Sequence, residues 1–104
     1  MSETIPVVMN EAAHRFEARL GDAVAFTEYR LRDGVIILPH TLVPEAFAGK
    51  GVGGHLAEAA LSYAREQGLE VVPTCSFIAG YITRHPEWHD IVQAGYRERL
   101  GIEG

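Results

Sequence analysis

The sequence predicts an α+β fold (mixed α/β) in which a twisted, mixed β-sheet is flanked by helices, with the element order βββ(β)αβα. Residues 4–39 alternate polar and apolar side chains as β-strands do, whereas from residue 51 the apolar side chains recur with the period of an α-helix. A helix that joins two neighbouring strands makes a right-handed crossover, so those two strands should be parallel. The strands before the helix should form an antiparallel meander.

The strand-like half contains segments that are separated by turn residues. These segments are residues 5–9, 15–20, 23–32 and 35–38. Residues 21–22 and 33–34 each contain glycine and aspartate, which are typical of tight turns between antiparallel strands. Within 23–32, side chains two apart should share one face, and these are Ala25, Thr27, Tyr29 and Leu31.

The helical half begins with a predicted helix over residues 51–67, whose apolar side chains form one stripe and which Gly68 should end. The expected elements after it are a short buried strand, a short helix, a further segment and a tail, at residues 69–73, 76–84, 86–92 and 94–104.

Length and composition limit the functions to consider. A chain of 104 residues, 47% of them hydrophobic, suits one compact domain over residues 1–104. The net charge of -5 and nine scattered basic residues argue against a nucleic-acid or anionic membrane partner. Cys75 is the single cysteine, so no intrachain disulfide can form and a reducing, cytoplasmic compartment is expected. The first 16 residues lack the pattern of a signal peptide, and the longest apolar runs are too short to span a bilayer.

Residues 48–54, AGKGVGG, place four glycines at the start of the predicted helix. The first turn of a helix has unpaired N–H groups and the positive end of the helix dipole, and glycines let an anion approach these donors. The pattern therefore predicts a phosphate-binding loop, unless the glycines only make a tight turn. Gly53 and Gly54 lie within the helix, where each costs about 1 kcal/mol relative to alanine, so something should compensate for them.

Two common phosphate-binding motifs do not fit this loop. Gly49, Gly51 and Gly54 match G-x-G-x-x-G, but the dinucleotide fingerprint belongs to the first βαβ unit of a parallel sheet. A P-loop requires Ser or Thr directly after its lysine, and here Gly51 follows Lys50.

The loop resembles a different signature. Residues 43–44 (VP) at a strand end, residues 48–53 (AGKGVG) and the helix resemble the Q/R-x-x-G-x-G/A signature of the GNAT superfamily of acetyltransferases, whose glycine turn binds the pyrophosphate of coenzyme A. The motifs HT-x-VP (40–44), VP-x-C (72–75) and YI-x-RHPEW (81–88) are similar to those of the short, single-domain GNAT-like subfamily that carries a cysteine near this site. The resemblance covers about residues 8–93, most of the chain.

The resemblance implies a sheet that splays in the middle, with the pantetheine arm of acetyl-CoA between the strands that end near Val43 and Pro73. It implies transfer of the acetyl group to an amine, such as a protein lysine, an N-terminus or a small amine. The signature's first position, usually Arg or Gln, is Ala48 here, which removes a side chain but leaves the backbone donors in place. The cofactor-binding residues that it implies are Thr41, Leu42, Val43, Ala48, Gly49, Lys50, Gly51, Val52, Gly53, Gly54, His55, Cys75, Tyr81, Arg84 and His85.

Cys75, His40 and Tyr81 are the candidate catalytic residues. Cys75 lies between a strand end and a helix start, where unpaired N–H groups favour a thiolate. It either accepts the acetyl group or borders the thioester while the amine attacks directly, and a backbone N–H near Val43 would stabilise the oxyanion. His40 is either a base for the amine or a strand-end side chain, and Tyr81 is either a proton donor to the departing CoA thiolate or a packing residue.

Other interpretations of the chain stay open. His85 and His89 have the i, i+4 spacing of metal ligands, but Pro86 interrupts the turn and no third ligand is apparent, so we expect no metal. The chain is a non-catalytic CoA-binding module if it binds the cofactor without acyl transfer. It is a plain interaction domain if the glycine loop is only a turn. We expect a monomer or a weak homodimer.

Overall fold

The computed structural model describes residues 5–102. The first four residues, where the N-terminal segment begins, and the last two residues of the tail lie outside the described part of the chain. The strands are β1 (Val8–Asn10), β2 (Arg15–Leu20), β3 (Ala23–Glu28), β4 (Arg30–Arg32), β5 (Val35–Ile37), β6 (Thr41–Leu42) and β7 (Glu70–Val72). The α-helices are α1 (Val52–Glu66), α2 (Ser76–Arg84) and α3 (Ala94–Leu100), and short 3₁₀ helices span Glu45–Phe47 and Pro86–Ile91.

The strands form two sheets. One has the order β1-β2-β3-β6 with antiparallel neighbours, and the other has the order β4-β5-β7. β5 and β7 are parallel, with Ile36 opposite Val71, and helix α1 lies between them in the chain. The predicted α+β class, the meander and the parallel crossover are therefore confirmed.

β5 and β6 are one run of chain that changes partner near Pro39. The Leu38 N–H donates to the Val72 carbonyl at 3.0 Å, and the Cys75 N–H donates to the Leu38 carbonyl at 2.9 Å. Pro39 has no N–H to continue this ladder. Beyond it, β6 pairs with β3, so the two parallel neighbours separate above Leu38.

The predicted strand over residues 23–32 is interrupted at Tyr29, whose N–H donates to the His14 carbonyl. Among the side chains predicted to share one face, Leu31 is 50% exposed whereas Ala25 and Thr27 are fully buried. Helix α1 packs on β2, β3 and β7, and β4 lies at the outer edge of the second sheet. Leu31 therefore lies beyond helix α1, which covers the earlier part of the segment over residues 23–32.

Two terminal elements also differ from prediction. β1 spans Val8–Asn10 instead of residues 5–9, and the side chain of Asn10 accepts the Ala13 N–H in the turn that follows. The tail, to which no structure was assigned, contains α3, and Ile102 after it is buried. The tail has few apolar residues, and these become buried only when the rest of the core is assembled.

Helix α1 has nearly the predicted limits, with Gly51 and Gln67 as its caps. Its buried stripe meets the sheets and α2 in one hydrophobic cluster. The fully buried members with the largest side chains include Phe47, Ile36, Leu38, Leu56, Leu61, Ile78 and Ile82.

β2 carries a buried carboxylate on the face opposite Phe16. Glu17 is 2% exposed and forms ion pairs with Arg15 and Arg19, and Asn10 donates to it at 3.2 Å. Burial raises the pKa of Glu17, but the hydrogen bonds from Arg15 and Asn10 and the charges of both arginines outweigh burial, so the pKa is lowered.

Candidate functional site

The glycine loop leads into α1 with an unusual backbone. Gly49 and Gly51 have φ of 74° and 69°, and this left-handed conformation favours glycine. The Lys50 N–H between them donates to the Phe47 carbonyl at 3.1 Å. The two positive φ angles bend the chain so that it enters the helix directly from the buried anchor Phe47.

The loop also presents backbone donors. Within the described residues, no carbonyl accepts the N–H groups of Gly49 or Gly51, and the first three N–H groups of α1, residues 52–54, precede the first helical bond, from the His55 N–H to the Gly51 carbonyl. No side chain of residues 5–102 caps this end of the helix. Five N–H groups thus remain available in one short stretch, at the positive end of the helix dipole.

Gly53 has a packing role that the sequence did not reveal. A Cβ on Gly53 would lie 2.6 Å from the ring tip of Phe77, whereas a Cβ on Gly54 would make only an ordinary contact, 3.6 Å from the ring of Tyr81. The absence of a Cβ on Gly53 lets the Phe77 ring of α2 pack closely on the first turn of α1. Packing therefore compensates in part for the helical cost of Gly53, and phosphate binding is not needed to explain this residue.

A chain of hydrogen bonds crosses the point where the strands separate. The Cys75 S–H donates to Thr41 Oγ1 at 3.4 Å, and the Thr41 and Thr27 hydroxyl oxygens are 2.7 Å apart. Thr27 Oγ1 lies 3.3 Å from the His40 carbonyl oxygen. The side chain of Thr27 is fully buried, so its hydroxyl has no access to solvent water.

The direction of this chain can reverse. A carbonyl oxygen only accepts, so with a neutral thiol Thr27 donates to His40, Thr41 donates to Thr27, and the thiol donates to Thr41. With an ionised sulfur, Thr41 can donate to sulfur and Thr27 to Thr41, while the Glu28 N–H still donates to the His40 carbonyl at 2.8 Å. The sequence placed Thr27 on one face of its strand but did not identify it as a site residue. Thr27 joins the site because it lies opposite Thr41 in the β3–β6 pair, and this register cannot be read from the sequence.

The ring of His40 lies away from this chain. It makes an edge-on contact with Phe26, with ring centroids 5.9 Å apart. Phe26 precedes Thr27, and successive strand residues point to opposite faces. The structure therefore joins the backbone of His40 to the hydroxyl chain and directs its ring to the other face of the sheet.

Tyr81 is buried and stacks on His85, with ring centroids 3.9 Å apart and planes 15° from parallel. Burial raises the pKa of Tyr81, and the negative charges of Glu58 and Glu87 raise it further, although the nearby indole N–H of Trp88 opposes this rise. The phenol is therefore protonated at neutral pH.

The two histidines with metal-ligand spacing serve the end of α2. The His85 Nδ1–H donates to the Tyr81 carbonyl at 2.7 Å, and the His89 Nε2–H donates to the Ile82 carbonyl at 2.8 Å. Each histidine so binds a carbonyl in the last turn of the helix. Among residues 5–102 there is no group of three or more His, Cys, Asp or Glu side chains that could hold a metal ion.

The remaining predicted contact residues surround the loop and the strand end. Leu42 and Val43 are 47% and 38% exposed, which leaves apolar surface at the end of β6. The side chains that lie at the exposed surface include Ala48, Lys50, His55 and Arg84. Within the described residues, neither Lys50 nor Arg84 forms an ion pair.

A separate groove of about 540 Å³ lies elsewhere, beside β4. None of the predicted site residues lines it. Its walls come from Ala13, His14, Glu28, Tyr29, Arg30, Leu31 and Arg32.

Comparisons with known proteins agree on one family. Residues 15–91 match the family model of the GCN5-related N-acetyl-transferase. Protein NATD1 of Xenopus tropicalis is 35% identical over 89 residues, which are 82% of this chain and 81% of the relative. Protein NATD1 of Mus musculus is 35% identical over 86 residues, 79% of this chain and 77% of the relative.

A solved structure is also similar. The NMR solution structure of a GCN5-like protein from Staphylococcus aureus, described as a candidate N-acetyltransferase, has a TM-score of 0.69 and 27% sequence identity. The match covers 86% of this chain and 89% of that chain. In the part of the chain that the structure describes, no helix has the length and apolar character needed to cross a membrane. By its sequence, its sheet topology and these relatives, the chain belongs to the GCN5-related N-acetyltransferase (GNAT) family.

Proposed function

We propose that this protein binds acetyl-CoA and transfers the acetyl group to an amine, such as a protein lysine, an N-terminus or a small amine. When bound, acetyl-CoA supplies an acetyl group that its thioester activates. The observation that carries the proposal is the set of five available N–H groups of residues 49–54 at the start of α1. Such donors suit the pyrophosphate of coenzyme A. The family membership of the chain supports the same ligand.

The strand end supports a place for the pantetheine arm. β6 pairs with β3 along one edge, and its other edge faces the separation from β7. Backbone groups of Thr41, Leu42 and Val43 on that edge would bind the amides of the arm. The exposed apolar surface of Leu42 and Val43 suits its methylene groups.

Cys75 is proposed to border the thioester. It is the N-cap residue of α2, and Thr41 can donate to the ionised sulfur. In one route the thiolate accepts the acetyl group and passes it to the amine. In the other route the amine attacks the thioester directly. In both, a backbone N–H near Val43 would stabilise the oxyanion.

Other side chains have proposed supporting roles. Tyr81 would protonate the departing CoA thiolate, since its phenol keeps its proton at neutral pH. His40 would act as a base toward an amine that approaches across the Phe26 face. The exposed groups Lys50, His55 and Arg84, together with His85 and Ala48, would border the phosphates. We further propose one domain over residues 1–104, a cytoplasmic location and a monomer or weak homodimer.

A thermal-shift titration with acetyl-CoA and CoA tests the cofactor site. Ligand at 100 times its dissociation constant stabilises the fold by about 2.7 kcal/mol, and the midpoint should rise on the order of 10 °C. Gly51→Glu puts a carboxylate among the proposed phosphate donors and should abolish the rise. Gly101→Glu is a matched control, because Gly101 has the same φ of 69° and, like Gly51, has no atom of the described residues within 4 Å of the position that a Cβ would take.

Each outcome has a defined meaning. A saturable rise that persists in the Gly101 variant and disappears in the Gly51 variant supports the site. No rise for folded wild-type protein would refute acetyl-CoA binding and leave the glycine loop as a turn. A rise without acetyl transfer to polylysine or to small amines would identify a non-catalytic CoA-binding module. Mass spectrometry of protein that is mixed with acetyl-CoA and then quenched distinguishes the two routes. Only the route in which the Cys75 thiolate accepts the acetyl group acetylates Cys75.

A further inference from the structure

In the described part of the chain, β4 runs past the end of β2 and leaves the strand position beside it vacant. The β2–β3 pairing ends at Arg15 and Glu28, and one more bond joins the Tyr29 N–H to the His14 carbonyl at 3.0 Å. Before His14 the chain turns away, and His14 itself has φ of 55°. β4 continues for three residues, and among residues 5–102 it has β5 as a strand neighbour on one side only. The groove of about 540 Å³ lies in the vacant position.

The backbone of β4 presents hydrogen-bonding groups to this groove. Along an antiparallel strand, the N–H and C=O groups of successive residues point alternately to the two neighbours. The Glu28 N–H points to the β6 side, where it donates to His40, and the Tyr29 N–H points to the β2 side. By this alternation the N–H and C=O of Leu31 point into the groove. Outside the strand ladders, no backbone carbonyl of residues 5–102 accepts the Leu31 N–H.

The side chains around the groove are cationic on one face. Arg30 and Arg32 are two residues apart, so they share a face of β4, and both are exposed. Neither arginine forms an ion pair in the described part of the chain, although the protein has a net charge of -5. Among the described residues that line the groove, Glu28 is the single carboxylate. Leu31 offers a half-exposed apolar surface on the other face.

We propose that the edge of β4 docks an extended, acidic segment of a partner protein as an added strand. The segment pairs with the backbone of Leu31, places carboxylates two residues apart opposite Arg30 and Arg32, and packs an apolar side chain on Leu31. A second copy of this chain is disfavoured, since β4 pairing with itself about Leu31 would place Arg30 opposite Arg32 of the copy, and like charges directly opposite destabilise a strand pair. This docking is independent of acetyl transfer.

The test titrates ¹⁵N-labelled full-length protein with a capped Glu-Val-Glu-Val-Glu peptide and follows the amide signals by NMR. We expect saturable shifts that centre on Leu31 and extend to Arg30, Arg32 and His14. Replacing the peptide's glutamates with glutamine should weaken binding about tenfold, because two exposed ion pairs are lost. A peptide that carries an N-methyl group on both valines should also bind more weakly, since neither valine can then complete the strand pairing with Leu31.

Protein variants complete the design. Arg30→Glu/Arg32→Glu should reduce binding, whereas Arg97→Glu/Arg99→Glu, with the same change in net charge, should bind as wild type does. The two peptide controls use wild-type protein and are independent of whether a variant folds. The proposal is overturned if the peptide gives no saturable shift, if the shifts lie outside residues 28–32 and their neighbours, or if the N-methylated peptide binds equally well. Shifts of the Leu31 amide that grow with protein concentration in the absence of peptide would instead assign the edge to a second copy.

Discussion

Thr41 offers a direct test of the hydroxyl chain at the strand separation. Thr41→Val keeps the shape of the side chain but removes the oxygen that lies 3.4 Å from Cys75 Sγ and 2.7 Å from Thr27 Oγ1. The loss affects an ionised sulfur most, because an S–H is a weak donor whereas a hydrogen bond to a charged acceptor is strong. The variant should therefore make Cys75 less reactive as a nucleophile.

The size of the effect follows from the geometry. A hydrogen bond to a charged group contributes about 1.5–3 kcal/mol, and the long contact to sulfur at this half-buried site suggests the lower end of that range. About 1.4 kcal/mol corresponds to a tenfold change. Alkylation of Cys75 by iodoacetamide at pH 7 should thus slow about tenfold in Thr41→Val. Cys75 is the single cysteine, so the alkylated mass reports one sulfur.

Two further variants separate the hydroxyl from the packing. Thr41→Ser keeps the donor, and its alkylation rate should stay within about twofold of wild type. Thr27→Val removes the donor to Thr41 and should slow alkylation by a smaller factor than Thr41→Val. The reasoning is refuted if Thr41→Val, with a native circular dichroism spectrum, reacts at the wild-type rate, or if Thr41→Ser is as slow as Thr41→Val.

Three other predictions concern stability and turnover. Glu17→Gln should lower the free energy of unfolding at pH 7 by about 1–2 kcal/mol, after allowance for the exposure of Arg15 and Arg19, and lower the melting midpoint by roughly 5–10 °C. Because the folded-state pKa of Glu17 is lowered, its contribution is complete above its ordinary value of 4.5 and is lost as the pH falls through the folded value. Melts from pH 7 to pH 3 should show the gap between wild type and variant closing below pH 4.5, and a constant gap would contradict the assignment. Tyr81→Phe keeps the ring stack but should reduce acetyl transfer to polylysine about 100-fold while the acetyl-CoA thermal shift is unchanged, and unaltered turnover would remove Tyr81 as the acid. Gly51→Ala should cost about 1 kcal/mol in a calorimetric melt because its φ is 69°, whereas Gly51→Asn should cost less, and equal melting of all three proteins would contradict a strained loop.

Much of the local structure was predictable. The limits of β2 and α2 agree with the predicted residues 15–20 and 76–84, and α1 begins and ends within one residue of its prediction. The alternation of strands, the period of helices and the positions of glycines are patterns of neighbouring residues, so they can be read from a single sequence. The interruption at Tyr29 was not predictable, because it depends on how β4 and β5 leave the first sheet.

The candidate site was predictable in its residues more than in its contacts. The glycine loop and Cys75 stand out in the sequence, and the proposed roles of both remain predictions. The sequence treated Gly53 as part of a phosphate loop, but the ring of Phe77, 24 positions later, occupies the space that a Cβ on residue 53 would take. A contact of that kind leaves no periodic signal in the chain.

The sequence by itself determined the fold class, the crossover helix and the backbone donors at its start, because side-chain periodicity and the preference of glycine for positive φ act over a few residues. Only the tertiary structure decided that Thr27, Thr41 and Cys75 share a hydrogen-bond chain and that β4 extends past the end of β2. Thr27 and Thr41 lie 14 positions apart, and Thr41 and Cys75 lie 34 apart. Residues so far apart in the chain come together only when the strands pair, and which strands pair depends on burial of the whole core.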